Sequence, residues 1–312
     1  MRVLVTVGIF PPDIGGPATF VPNIADYFQN DLNYEIEILT LSDRKNLDVK
    51  DNFSVKRIDR NLPIIYRWLK TIFTIYKLGK NKDLIFVNGL GTETTIANIF
   101  LKKKIIRKIV GDPVWERAYN KGKVSENFDE FQVRNYGLSI SLQKKIRSFS
   151  IKNSDLVITP SQHLKNFILN LGFQNKIETI NNGINIPEES AEKFTNDQTN
   201  ITIVSRLVTH KNIEKIIAAI SDLNNPLINL NIIGDGPELN QLQSIALRSD
   251  YKENIMFHGK LHRDDIDKIF LNSDIYIQAS NYEGLPHSLL EAMSYGIPVI
   301  CTPVGECKEL LG

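Results

Sequence analysis

The chain has 312 residues, 42% of them hydrophobic and 23% charged, with a formal net charge of +1. That composition excludes a disordered chain, and the length suits two ordinary domains. With only two cysteines, Cys301 and Cys307, a disulfide framework is excluded and a reducing compartment is expected; the start of the chain shows no signal-peptide pattern, and no run of about 18 apolar residues offers a membrane span.

The first strand-like run, Arg2–Val7, feeds the loop FPPDIGGPATF, whose Gly15 and Gly16 let backbone approach a ligand closely or simply make a tight strand-to-helix turn. Further runs follow at Glu35–Leu41, Leu84–Val87, Ile105–Val110, Leu156–Thr159 and Lys176–Ile180. Helix-length stretches separate most of them. One, YRWLKTIFTIYKLGKNK, interleaves Trp68, Phe73 and Tyr76 with Arg67, Lys70 and Lys77, and LKKKIIRK follows it. Such a helix either lies on an anionic membrane or packs its apolar side against a core. After Ile105–Val110 the chain reads GDPVWE, and Asp112 there either caps a turn with Pro113 or accepts a bond from a ligand.

A polar stretch, EESAEKFTNDQTN, ends this first half and reads as a linker, which places a domain break at residue 187. The second half resumes with Ile201–Ser205, Leu230–Ile233, Ile255–His258, Ile275–Gln278 and Pro298–Cys301. Strand–helix alternation in both halves implies two doubly wound parallel sheets, 1–187 and 188–312, whose ligands sit beyond the carboxyl ends of the strands. Residues 1–160 hold 25 Lys and Arg against 17 Asp and Glu, a net of +8, and residues 161–312 hold 12 against 19, a net of −7. The imbalance means that the first half meets something acidic or that the two domains differ in composition.

The loops of the second half carry the chemistry. In RLVTHKN, Arg206 and Lys211 stand where two cations would suit a diphosphate. In HRDDIDKIFLNS, Asp265 and Asp267 spell an acidic metal pair but fall on a helical pattern, where a solvated face is the better reading, and no His/Cys cluster has metal-ligand spacing. In NYEGLPHSLLEAMSYGIPVI, Gly284 and Pro286 open a helix whose free amides favour a phosphate or sugar oxygen. Glu283 precedes that helix, and Glu291 lies inside it among Leu289, Leu290, Ala292 and Met293, where a buried carboxylate requires partners.

EGLPHSLLEAMSYGIPVI, SRLVTHKN, IIGDGPELNQLQ, SDLVITPSQHLKN and TINNGIN together resemble the retaining glycosyltransferases of family 4, over essentially the whole chain. The resemblance implies an α/β GT-B fold of two Rossmann-like domains facing a cleft. The first, 1–187, would take the acceptor, and the second, 188–312, the nucleotide sugar. It gives Arg206 and Lys211 the donor diphosphate, with Gly15 and Gly16 close to it. It gives Glu291 the ribose hydroxyls, Glu283 the transferred sugar with Gly284 and Leu285 beside it, and the backbone near Lys260 and Leu261 the base. Many members carry a histidine where this chain has Asp112, so Asp112 and Glu283 are the catalytic candidates.

The expected substrate is a UDP-sugar or GDP-sugar, with no cofactor and no metal, because fixed cations stabilise the departing diphosphate. The expected partners are a glycan or lipid-linked acceptor and an anionic membrane surface; no recognition motif points to nucleic acid. The setting is the cytoplasm, peripheral to the inner face of the membrane. Members of the family continue past the position of Gly312, so the second domain is expected to be incomplete. A sugar-nucleotide epimerase and a non-catalytic sugar-nucleotide-binding subunit share the architecture; a phosphorylase would be larger and need a lysine-bound pyridoxal cofactor.

Overall fold

The computed structural model describes residues 1–13, 15–43, 53–191 and 197–311. In chain order the elements of the first stretch are β1 (Arg2–Val7), α1 (Gly16–Asn30), β2 (Glu35–Ser42), β3 (Ser54–Asp59), α2 (Ile64–Gly79), β4 (Leu84–Asn88), α3 (Gly91–Leu101) and β5 (Lys104–Lys108). Then come α4 (Pro113–Asn120), α5 (Phe128–Val133), α6 (Gly137–Lys152), β6 (Leu156–Thr159), α7 (Gln162–Asn170) and β7 (Lys176–Thr179). The remainder holds β8 (Thr199–Val204), α8 (Ile213–Leu223), β9 (Ile228–Ile233), α9 (Leu239–Arg248), β10 (Ile255–Gly259), α10 (Arg263–Leu271), β11 (Ile275–Gln278), α11 (His287–Ser294), β12 (Val299–Cys301) and α12 (Cys307–Leu311).

The chain divides into two units, Met1–Val110 with Tyr136–Ile180, and Gly111–Asn135 with Asn181–Gly312. The first is built on a seven-stranded parallel sheet of order β3-β2-β1-β4-β5-β6-β7. Period-two alternation sorts its side chains. Val3, Val5 and Val7 of β1 face one way and pack with Val21 and Ala25 of α1, while Leu4 faces the other way and packs with Ile75 of α2 and Ala97 of α3. Each such side chain contributes about 1.5–3 kcal/mol by leaving water. The second unit has a five-stranded parallel sheet of order β10-β9-β8-β11-β12, covered by α8 through Ile213, Ile216, Ile217 and Ile220, and on its other side by Leu289 and Ala292 of α11.

Three features depart from the sequence reading. The edge strand β3 was not expected: in SVKRID only Val55 and Ile58 are apolar, and Arg57 is buried by turning its guanidinium to the Pro11 carbonyl at 2.7 Å and over the Phe10 ring. By its contacts the chain after β7, from Asn181, is already tied into the second unit: Asn182 donates to the Leu285 carbonyl at 3.1 Å, and Ala191 enters the core beside Tyr295. Of the polar stretch read as a linker, residues 192–196 lie outside the described residues, as does Ile14 of the first loop. Finally, residues 111–135, which the sequence reading gave to the first domain, pack with the second. Trp115 of α4, fully buried, meets Tyr119, Phe128, His210 and Tyr282, and Phe128 of α5 stacks on Tyr282 with ring centroids 4.1 Å apart.

The first unit leaves apolar surface uncovered. On α2, Ile64, Ile65, Leu69 and Phe73 are 74, 76, 56 and 65% exposed, and only Thr71, Ile75 and Gly79 are buried. Phe100 at the end of α3, 73% exposed, meets Tyr76 edge to face. Lys70, Lys77, Lys80 and Lys102 are exposed on the same two helices or at their ends, Lys70 over Tyr66 and Lys80 over Tyr76. Arg67, by contrast, is only partly exposed and donates to the Arg60 carbonyl. Among the described residues no helix is long and apolar enough to cross a membrane.

Candidate functional site

In the second unit β8 leads to β9 on one side and has β11 on the other, so strand order reverses between β8 and β11. A groove opens at such a point because the two connections leave in opposite directions. The loop after β8 and the loop after β11 both emerge there. Arg206 lies exposed just beyond β8, and Lys211 sits in a 3-10 turn, Thr209–Lys211, that precedes α8.

The two loops are stitched together. Lys211 Nζ pairs with Glu283 Oε1, and the Ser280 hydroxyl donates to the same oxygen at 2.5 Å. Asn212 donates to the Ala279 carbonyl and to Asn281 Oδ1, each at 2.7 Å, and the Asn281 amide donates to the His210 carbonyl at 2.8 Å. Two glycines let further loops close in. A Cβ on Gly234, whose φ is +135°, would lie 1.8 Å from the Ser205 carbonyl oxygen, and one on Gly305, at φ +53°, would lie 1.7 Å from that of Glu283. Glu283 is thus held from both sides, with a side chain only 9% exposed.

The segment 111–135 supplies the rest of this site. Helix α4 packs against the 3-10 turn: His210 Nδ1 donates to Asn120 Oδ1 at 2.9 Å, and Asn281 donates to the Tyr119 hydroxyl. Burial, with Lys211 and Arg206 adding to it, pushes the His210 pKa down to about 3, so the ring is neutral. Asp112 starts α4. One carboxylate oxygen accepts from the Val114 amide and the other from Gln132 Nε2, each at 3.0 Å, and the side chain is fully buried. The Val114 bond makes Asp112 the N-cap of α4 beside Pro113.

One turn further along α4 stands Glu116, which the sequence reading passed over. Its carboxyl is held above the usual carboxylate range by burial; Arg206 and Lys211 act against that rise, while Asp112 and Glu283 add to it. A Cβ on Gly111 would sit 2.8 Å from Glu116 Oε1, so the bare backbone there makes room for the acid. Among the described residues no donor hydrogen-bonds this carboxylate. The signal in the sequence was the pattern DPVWE, which puts an acid on the turn after a capped, Pro-started helix beside a large aromatic.

Glu291 lies on the same helix, α11, that follows Gly284 and the buried Leu285. It is partly exposed and pairs with Arg263 at the start of α10; burial raises its pKa, Arg263 opposes the rise and Asp267 adds to it. Arg263 also binds Asp267 at 2.8 Å. This brings Glu291 to the loop after β10, where Lys260 is exposed and pairs with Asp235 at 3.5 Å, and Leu261 is half-buried. Asp265 pairs with Lys268 at 3.0 Å, and among the described residues no group of three or more His, Cys, Asp or Glu is arranged to hold a metal. Gly15 and Gly16 lie in the first unit, where Gly15, at φ +147°, stands at the N-cap of α1.

Two units built on parallel Rossmann-like sheets give the GT-B fold. The pattern of glycosyltransferase family 4 matches residues 14–187, that of the group 1 glycosyl transferases matches residues 185–312, and the chain belongs to this family. An uncharacterized glycosyltransferase, MJ1069, of Methanocaldococcus jannaschii is 28% identical over 100% of this chain and 83% of its own length. The O-antigen biosynthesis glycosyltransferase WbnH of Escherichia coli is 27% identical over 96% of this chain and 81% of its own. Among solved structures, Alr3699/HepE from Anabaena in complex with UDP and glucose superposes with a TM-score of 0.76 at 19% identity, covering 100% of this chain and 83% of that one.

Proposed function

We propose that this enzyme transfers a sugar, with retention, from a UDP-sugar or GDP-sugar to a glycan or lipid-linked acceptor in the synthesis of cell-surface polysaccharide or glycolipid. The observation that carries the reading is the meeting of Arg206, Lys211 and Glu283 at the switch point of the second sheet, with Glu291 on the adjoining helix. Arg206 and Lys211 hold the diphosphate and stabilise the charge that grows on it as the sugar leaves. Glu283, lodged beside Lys211, accepts from hydroxyls of the transferred sugar. Glu291 exchanges Arg263 for the ribose hydroxyls, and the backbone at Lys260 and Leu261 meets the base, with Gly284 and Leu285 forming the wall between. Asp112, which caps α4, accepts a hydrogen bond from the donor sugar as the second catalytic candidate beside Glu283. Gly15 and Gly16 let the first loop approach the donor phosphates. Support for the donor class comes from the UDP and glucose in the Anabaena complex and, for the acceptor class, from the O-antigen relative.

The acceptor side rests on a second observation, the uncovered apolar face of α2 and α3 edged by lysines. On this reading the protein works at the inner, cytoplasmic face of a membrane and draws a lipid-linked acceptor from it. The test is incubation with radiolabelled UDP-sugars and GDP-sugars, membranes and excess EDTA. Label is expected in the lipid or polysaccharide fraction with chelator present. Epimerised donor without transfer, or binding without turnover, would replace the reading by an epimerase or a binding subunit.

A further inference from the structure

We infer that Asn88 and Lys108 form a binding subsite in the first unit for a negatively charged group, a phosphate or a carboxylate, carried by the acceptor. This rests on the reading that the first unit takes the acceptor.

Both residues end strands in the middle of the seven-stranded sheet, β4 and β5, which lie side by side. Val87 is in register with Arg107, so Asn88 and Lys108 follow as neighbours, about 5 Å apart across the sheet. Alternation puts them on one face: Phe86 and Ile106, two positions before them, pack with Val5, Val7 and Val21 on the α1 side. Lys108 is buried there, with Nζ 3.4 Å from the centre of the Phe20 ring of α1, and Phe20 meets Phe86 with ring centroids 6.4 Å apart.

On the opposite face of the same edge the fold satisfies its own polar groups. The Thr6 hydroxyl lies 3.2 Å from the Gly89 carbonyl and 3.1 Å from the Thr94 hydroxyl, and Arg107 donates to Ser154 Oγ, Thr95 Oγ1 and the Ser150 carbonyl. Asn88 is different. It is only 8% exposed, and among the described residues no hydrogen bond reaches its side chain. A buried amide in that condition calls for a ligand. There is room for one: beyond Val7, the register neighbour of Asn88, a Cβ on Gly8 would meet nothing within 4 Å.

A ligand entering there finds an amide and an ammonium above an aromatic floor. Burial lowers the Lys108 pKa to about 8, so a negative charge beside it stabilises the protonated lysine. A neutral hydroxyl would satisfy Asn88 and do little for the ammonium, whereas an anion accepts from both. The donor diphosphate has cations of its own in Arg206 and Lys211, which leaves the acceptor as the substrate with an anion to place.

The test is calorimetric titration of the whole chain with octyl phosphate and methyl glucuronide, each beside its uncharged counterpart, octanol and methyl glucoside, and with UDP and GDP. One charged probe should bind at least about tenfold more tightly than its counterpart. Preference for octyl phosphate identifies a lipid phosphate headgroup, and preference for methyl glucuronide an acidic sugar. Lys108→Met should remove the preference and Asn88→Ala should reduce it about three- to tenfold, with nucleotide affinity unchanged. No preference for either charged probe overturns the inference, and so does a preference that survives both substitutions. Equal loss of UDP or GDP affinity would give the two residues to the donor phosphates and overturns it as well. In transfer to membranes with saturating donor, Lys108→Met should need about fivefold more membrane for half-maximal rate; equal demand overturns the acceptor role. If the wild-type protein transfers nothing, the proposed function fails, while the charged probes still decide on the subsite. Should Lys108→Met not fold, Asn88→Asp decides, because a carboxylate in that slot repels an anion: the preference should vanish, and its retention overturns the proposal.

Discussion

The two units are built from the same parts and differ in what they leave uncovered. Residues 1–110 and 136–180 hold 23 Lys and Arg against 13 Asp and Glu, a net of +10, while residues 111–135 and 181–312 hold 14 against 23, a net of −9. Helix α8 of the second unit buries Ile213, Ile216, Ile217 and Ile220 and has no large apolar side chain exposed before Leu223. Helix α2 of the first unit, with apolar residues at least as plentiful, exposes more of them than its core takes up. In the second unit buried and charged groups converge on the loops after β8 and β11. In the first, apolar and basic groups are spent on an outer face, as in a surface with an amphipathic partner.

The comparison breaks most sharply at Trp115. Trp115→Ala empties the aromatic cluster that joins 111–135 to the second unit and should lower stability by about 3–5 kcal/mol in chemical denaturation. A loss of less than 1 kcal/mol would mean that the segment is not part of that core. Next in size is the cation pair: Arg206→Ala and Lys211→Ala should each weaken binding of the free nucleoside diphosphate by about 1–3 kcal/mol in calorimetry. Unchanged affinity in both would detach the acidic unit from the donor.

Acid sharpens the contrast further. His210 has a folded pKa of about 3 against an ordinary 6.5, so the folded ring stays neutral at pH values where the unfolded chain takes up a proton. The stability it secures is whole above about pH 6.5 and declines as pH falls toward 3, which amounts to about 2 kcal/mol between pH 7 and pH 5. In His210→Gln that part of the slope should vanish, though the variant starts less stable; an unaltered slope would assign the acid sensitivity to other groups.

The smallest effects belong to the first unit. Replacing Lys70, Lys77 or Lys80 by Gln should each reduce binding to anionic vesicles by about 1 kcal/mol, less at high salt, and leave nucleotide affinity as it was. Phe73→Ser should change stability by no more than about 0.5 kcal/mol, since the ring is already in water, yet lower vesicle flotation. Equal flotation with neutral and anionic lipid, or none with either, would make this face an ordinary surface.

Much of this was legible in the sequence. Apolar runs located eleven of the twelve strands among the described residues, because parallel strands buried on both faces are written as short β-branched stretches. The edge strand β3 escaped because one of its two buried residues is an arginine, whose Nη2 donates to a carbonyl from another loop. Lys211 and Glu283 could be nominated from their loops, since strand ends at a switch point are where ligands bind. That they pair with each other, or that Glu291 pairs with Arg263 across 28 positions, is decided by packing over distances that no local pattern encodes. Nor does composition mark 111–135 as belonging with a sheet that begins near residue 199; only the fate of Trp115 does.

That membership has a consequence during synthesis. The first unit has all its residues once Ile180 has left the ribosome, and its strands can pair at once. The second cannot begin to close then, because its earliest piece, carrying Trp115, Phe128 and Phe131, emerges more than sixty residues before β8, onto which the loops it needs are built. Through that interval three large aromatic side chains that end fully or almost fully buried have no native surface to meet. Vectorial folding therefore leaves this stretch as the part of the nascent chain with most to gain from a chaperone, and translational pausing between residues 135 and 199 as the event with most power to misdirect it.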